Sequence, residues 1–286
     1  MLGPLRCPES GEPLEVEGGL RGGRLQGRLR SSETGVSWPA EDGFIKLYRE
    51  GGVRPKDRLL RRFYDGLPRL HDPAVQVLLP LLQGKGAAAT RSEYWPLLEL
   101  EAATGPLRIL EVGIGTGEEL VGYAARLPAG LPVELWGVDL SVGMLRLCRR
   151  RPAPRPEVQV NLLLADAHTL PFADMTFDRV LHVGATGSFG DPARALAEMA
   201  RVARPGAPVV VVDEQLDPGR RHGLLRRAAF RAITFYERNP SCPSALLPPG
   251  VEDVQERQIS RFYYALRFRR PISGTWPGWP APPRPS

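Results

Sequence analysis

The apolar residues of this chain fall into short runs that alternate in kind. Leu107, Ile109, Leu110 and Val112 form a compact run that ends in an acid, Glu111, and a turn with glycine at 113, 115 and 117. Leu120, Val121, Ala124 and Ala125 then recur at helical spacing. The order is a buried strand, a tight turn and a helix. The unit repeats. Val133 to Val138 is a second strand with Asp139 at its end, and Ser141 can cap a helix carrying Met144, Leu145 and Leu147. Val158 to Ala165 is a third strand ending in Asp166, and FDRVLHVGA contains a fourth. Pro192 to Ala203 reads as a helix stopped by Pro205-Gly206, and Pro208 to Asp213 as a fifth, fully buried strand. Val251 to Phe268 alternates as a closing antiparallel pair. Such alternation predicts an α/β fold with a mostly parallel sheet and helices on both faces.

The flanks read differently. Residues 1–50 lack helical periodicity and carry many glycines, so short strands joined by turns are expected, a small β-rich module. From Arg54 to Leu82 the pattern is helical (Leu59, Leu60, Phe63, Tyr64, Leu67, then Val75, Leu78, Leu82). A flexible loop is expected over 84–90, and a helix over 93–103. The stretch from Gly219 to Asn239 is an amphipathic helix, with Leu224, Leu225, Ala228, Ala229 and Ile233 expected inward. The organisation expected is a module over 1–50, helices on the substrate side over 51–104, a main domain over 105–270 and a disordered Pro-rich tail over 271–286.

The glycine turn is where chemistry is expected. Glycine permits φ > 0 and a close backbone approach to a ligand. In open α/β sheets ligands lie beyond the carboxyl ends of the strands, near the switch in strand order. Two cofactors compete for the turn. A dinucleotide site wants G-x-G-x-x-G, but the position of the third glycine is Glu118. Asp139 lies 139 − 113 = 26 residues after the first glycine, where either nucleotide cofactor offers a ribose to a carboxylate.

The spacing E-V-G-x-G-x-G over 111–117, with D-A-x-x-L-P-F over 166–172, resembles the class I S-adenosylmethionine-dependent methyltransferases, in their small-molecule, quinone-biosynthesis-like branch. The resemblance spans residues 105–215. It implies a Rossmann-like seven-stranded sheet and S-adenosylmethionine as cofactor, held by Glu111, Gly113, Ile114, Gly115, Thr116 and Gly117, by Asp139, Leu140 and Met144, and by Asp166 and Ala167 at the adenine. RRFYDGLPRLHD resembles the segment that folds over the cofactor in such enzymes, which makes Tyr64 a lid candidate beside its plainer reading as an aromatic seal. His182, at the end of the fourth strand, is the histidine placed to face the acceptor as a base, or else a hydrogen-bonded structural residue. His71, His168 and His222 receive no role. LRCPESGEPL with TGVSWPAEDGFIKLY resembles the zinc-ribbon-like activator proteins of tRNA, rRNA and release-factor methyltransferases. Ser10 stands where a second cysteine would be, so no zinc is expected, and Leu14, Trp38, Phe44, Ile45 and Leu47 are expected to hold that fold; the plainer reading is an irregular arm packed on the main domain.

Composition narrows the partners. The net charge of +6 and pI near 9.5 admit an acidic partner, but lysine occurs only at 46, 56 and 85, and the arginines read as a solvated surface. Cys7, Cys148 and Cys242 fit no disulfide framework or metal spacing. No apolar run is long enough for a membrane span or secretory signal, so cytoplasmic residence is expected. A small-molecule acceptor, attacked through O, N or C, is the leading reading. An RNA or protein acceptor, and a non-catalytic binding protein of the same fold, are the alternatives.

Overall fold

The computed structural model describes residues 3–21, 24–66, 85–153, 155–184 and 186–272. The strands are β1 (Leu14–Arg21), β2 (Arg24–Ser31), β3 (Ser37–Glu41), β4 (Phe44–Leu47), β5 (Leu107–Val112), β6 (Val133–Asp139), β7 (Val158–Ala165), β8 (Arg179–Val183), β9 (Pro208–Glu214), β10 (Glu252–Gln258) and β11 (Tyr263–Arg269). The helices are α1 (Pro55–Gly66), α2 (Ala87–Tyr94), α3 (Leu120–Arg126), α4 (Val142–Cys148), α5 (Pro192–Val202) and α6 (Leu224–Ile233).

All the strands join one sheet, in the order β1-β2-β3-β4-β7-β6-β5-β8-β9-β11-β10. The run β7-β6-β5-β8-β9 is parallel throughout. β11 lies antiparallel against β9, and β10 against β11. Successive residues of each buried strand face opposite layers. Leu110, Val112, Trp136 and Val138 enter one core, while Ile109, Leu135 and Leu164 enter the other. β5 is flanked by β6 on one side and β8 on the other, so the chain changes direction there. The glycine turn leaves the sheet at that switch.

Among the described residues the sheet has eleven strands rather than seven. The expected seven are β5 to β11, and the N-terminal strands continue the same sheet. β4 runs parallel to β7, with Ile45 opposite Leu163 and Leu47 opposite Ala165. The segment before β1 is tied to the main domain by Arg6 N–H to Pro171 O (2.9 Å) and Ala173 N–H to Pro4 O (3.0 Å). Leu5, Cys7, Leu14, Leu29, Trp38 and Leu47 are buried in one core with Leu110, Val138 and Phe172. Phe44 is buried and Ile45 partly so. The apolar residues expected to hold this region do so, but as part of a shared interior.

Three local differences have physical causes. Residues 87–90, expected as loop, begin α2, whose alanine-rich start suits a helix. The helix expected over 93–103 is the end of α2 followed by a 3-10 turn over Trp95–Leu98, because Pro96 cannot donate the next α-helical bond. In α6, Leu224 and Leu225 point outward at 87% and 78% exposure, while Phe230 is buried with its ring 5.2 Å from Phe262. The aromatic pair sets the rotation of the helix. The helical reading of 67–82 and the Pro-rich tail beyond 272 lie outside the described residues.

Candidate functional site

The three glycines of the turn are there for different reasons. All have positive φ (68° at Gly113, 54° at Gly115, 77° at Gly117), a region that penalises side chains. The N–H groups of Gly113 and Ile114 both donate to Val138 O, at 2.8 and 3.0 Å, which folds the turn over the end of β6. Gly115 N–H donates to Asp139 Oδ2 at 2.9 Å, and Ser141 N–H to Asp139 Oδ1 at 2.8 Å. Asp139 therefore pins the turn as well as facing the space beyond it. A Cβ on Gly117 would stand 2.6 Å from Cys148 Sγ, so this glycine admits α4 behind the turn. Gly117 is absent from the cavity lining, whereas the other sequence-predicted site residues all reach it.

That cavity measures about 570 Å³ and opens beyond the carboxyl ends of β5, β6, β7, β8 and β9. Glu111 is 2% exposed and its Oε2 accepts no hydrogen bond among the described residues, although the Tyr123 hydroxyl interacts with the carboxyl. Burial, reinforced by neighbouring Glu119, pushes its carboxyl well above the ordinary range. Ser141 caps α4 through Met144 N–H (3.1 Å), as expected, and its hydroxyl donates to Asp65 Oδ1 at 2.6 Å. Asp65 also accepts from Gly143 N–H at 3.0 Å, which ties α1, with Tyr64 and Phe63, down over the cavity.

On the other side, His182 is 1% exposed and its Nδ1 lies 2.7 Å from Val112 O. A carbonyl only accepts, so Nδ1 carries the proton and Nε2 carries the lone pair. That Nε2 is buried without a partner among the described residues, and burial holds the ring's pKa below its ordinary value. His182 is thus a neutral acceptor in the wall of the cavity. Its ring lies 4.9 Å from that of Phe189.

Some residues escaped the sequence reading. His168 is buried, with Nδ1 2.6 Å from Asp166 Oδ1 and Nε2 accepting Asp191 N–H at 3.2 Å, so it fixes the orientation of Asp166. The D-A-x-x-L-P-F run contained the signal, since His168 is only two residues from the acid. Arg91 donates to Glu119 (2.9 Å) and Glu118 (2.7 Å), and Tyr94 to Glu119 (2.6 Å). Arg151 also pairs with Glu118 at 3.1 Å. The position where a dinucleotide site needs glycine thus carries an anchored carboxylate. Glu214, one residue past the expected end of its strand, lines the cavity beside Tyr236 and Tyr263.

A doubly wound sheet with a glycine cradle and separated acids at its switch point defines a Rossmann-like binder of a nucleoside cofactor. The cradle fits a small adenosyl cation. Its positive-φ turn leaves no side chain over the cavity at Gly113 and Gly115, and Glu111 Oε2, without a hydrogen bond among the described residues, can take a donor or face a positive charge. A family profile described as a methyltransferase domain matches residues 110–211. The chain is 34% identical over 136 residues to demethylmenaquinone methyltransferase of Thermus thermophilus, covering 48% of this chain and 60% of that protein. It is 38% identical over 168 residues to phosphatidylethanolamine N-methyltransferase of Cereibacter sphaeroides, covering 57% of this chain and 80% of that one. Phosphoethanolamine N-methyltransferase 2 of Haemonchus contortus, solved with S-adenosyl-L-methionine, shares the fold at 15% identity and a TM-score of 0.52, over 79% of this chain and 62% of that one. The chain belongs to the S-adenosylmethionine-dependent methyltransferases, and S-adenosylmethionine is the family's cofactor. No helix among the described residues is long and apolar enough to cross a membrane.

Proposed function

We propose that the chain transfers a methyl group from S-adenosylmethionine to a small molecule held in the same cavity. When bound, the cofactor supplies an electrophilic methyl on a positively charged sulfur. Glu111 and the Gly113–Thr116 turn would hold its amino-acid part, Asp139 its ribose, and Asp166 with Ala167 its base, with Leu140 and Met144 packing alongside. The observation that carries the reading is a single cavity of about 570 Å³ that spans both the cradle and the ends of β8 and β9. Such a volume suits a small ligand. Tyr64 and Phe63 on α1 line the cavity, and the protein's main task is to orient the acceptor within it. His182 Nε2 accepts a hydrogen bond from the acceptor's reacting group.

The matches to quinone- and phospholipid-directed relatives favour a small-molecule acceptor over RNA or protein. The N-terminal strands, which resemble methyltransferase activator proteins in sequence, act here as a built-in cover for the β7 edge. Labelled S-adenosylmethionine incubated with the protein and a cell extract tests the reading. Label in the small-molecule fraction is expected. Label confined to RNA or protein, or a failure of the wild type to bind cofactor, would overturn it.

A further inference from the structure

The cavity's charge is unlike the rest of the molecule. The chain is basic overall, yet carboxyl side chains outnumber guanidiniums in the described lining of the cavity. Both lining arginines are paired already, Arg61 with Glu50 and Arg91 with Glu118 and Glu119. Lys56 nearby is bonded to Gly187 O and Glu237. The acceptor half therefore holds an acid without a basic partner among the described residues.

That acid is Glu214, at the carboxyl end of β9 and two strands from the glycine turn. Tyr236 donates to its Oε2 at 2.8 Å and Tyr263 to its Oε1 at 3.5 Å. Aromatic rings line the same cavity. Tyr64 and Phe63 pack edge to face at 5.6 Å, Phe63 meets Phe235 at 5.5 Å, and Phe235 meets Tyr236 at 5.4 Å. This chain of rings runs from α1 to the segment after α6, and every member lines the cavity. Asp213 lies beside Glu214, and its Oδ2 accepts Gly187 N–H at 3.0 Å. His182 Nε2, buried and without a partner among the described residues, belongs to the same wall. Ring faces and a partly desolvated carboxylate together recognise an organic cation.

Resting on the methyltransferase reading, we infer that the acceptor is an amine, held as its ammonium by Glu214 within the Tyr64–Phe63–Phe235–Tyr236 cage. A hydroxyl or carbon acid would bring no positive charge to the carboxyl. Burial and the adjacent Asp213 push the Glu214 carboxyl well above its ordinary range; an ammonium beside it favours the ionised form, and that carboxylate, more basic than an ordinary one, takes the ammonium's proton and frees the nitrogen lone pair. Transfer then forms one N–C bond as the donor's C–S bond breaks with its electrons going to sulfur. The methylated ammonium leaves, and the proton on Glu214 returns to solvent.

Benzylammonium and benzyl alcohol, matched in shape and different in charge, test the cage by calorimetry on protein saturated with S-adenosylhomocysteine. The ammonium should bind at least tenfold tighter. In E214Q that preference should shrink to within twofold, with the affinity for S-adenosylhomocysteine unchanged. Equal binding of the two probes by the wild type, or a preference that survives in E214Q, would overturn the inference. Should E214Q fail to fold, Y236F carries the test, with a severalfold smaller preference expected and an unchanged one contradicting. Failure of the wild type to bind S-adenosylhomocysteine counts against the methyltransferase reading instead, and the probe comparison without it still reports on the cage.

Discussion

Asp139 offers the sharpest test of how the cradle is built. Its two oxygens accept Gly115 N–H at 2.9 Å and Ser141 N–H at 2.8 Å, so the carboxylate links the turn after β5 to the start of α4 before any ligand arrives. Hydrogen bonds to a charged group contribute about 1.5–3 kcal/mol each, and a buried donor left without a partner costs a similar amount. Water in the cavity can re-solvate part of what D139A exposes, so a loss of about 2–4 kcal/mol is expected. At about 2–4 °C per kcal/mol for a chain of this size, the ligand-free protein should melt roughly 4–16 °C lower. D139N, which keeps one acceptor, should lose about half as much. Thermal melts by circular dichroism without cofactor measure this, and affinity for S-adenosylmethionine should fall more than tenfold in parallel. Identical melting of D139A and wild type would show that the carboxylate does not pin the turn.

Other perturbations follow from the same geometry. A Cβ on Gly137 would stand 2.4 Å from Ile114 Cδ1, so G137A should cost about 1–3 kcal/mol and weaken cofactor binding, read by melts and calorimetry; normal binding would refute the contact. Removing residues 1–48 uncovers the β7 edge that pairs with Ile45–Leu47 and opens the shared core, so light scattering should show aggregation, whereas a monodisperse fragment that binds cofactor would contradict the shared sheet. Glu50 is held at about 2 by its hydrogen bonds to Arg61 and Lys46. A depressed folded value means that its contribution is complete above about pH 4.5 and lost as pH falls toward 2. Because Glu50 is half exposed the interaction contributes only about 0.5 kcal/mol, and E50Q should flatten that part of the Tm–pH curve by a small, measurable amount.

The sequence exposed the parts of this fold that depend on local pattern. Strands β5 to β9 and the Ser141 cap follow from apolar runs, glycine and a capping hydroxyl, all readable within a few residues. The cradle positions were legible for the same reason, since the turn and the two strand-end aspartates sit at element boundaries. What stayed hidden depends on strand order. Nothing in residues 44–47 announces that they pair with residues 163–165, so the N-terminal strands read as a separate module. Arg91 and Glu214 acquire meaning only through partners 27 and 22 residues away or more, brought together by the sheet, whereas His168 was legible from Asp166 two residues before it. Helix α6 misled because it carries apolar residues on more than one side, and the contact between Phe230 and Phe262 decided its rotation.

Calorimetric titration of the wild-type chain with S-adenosylmethionine tests the central claim most directly. Saturable binding of one molecule per chain is expected, weakened more than tenfold by Glu111→Ala. A wild type that shows no saturable binding would contradict the account.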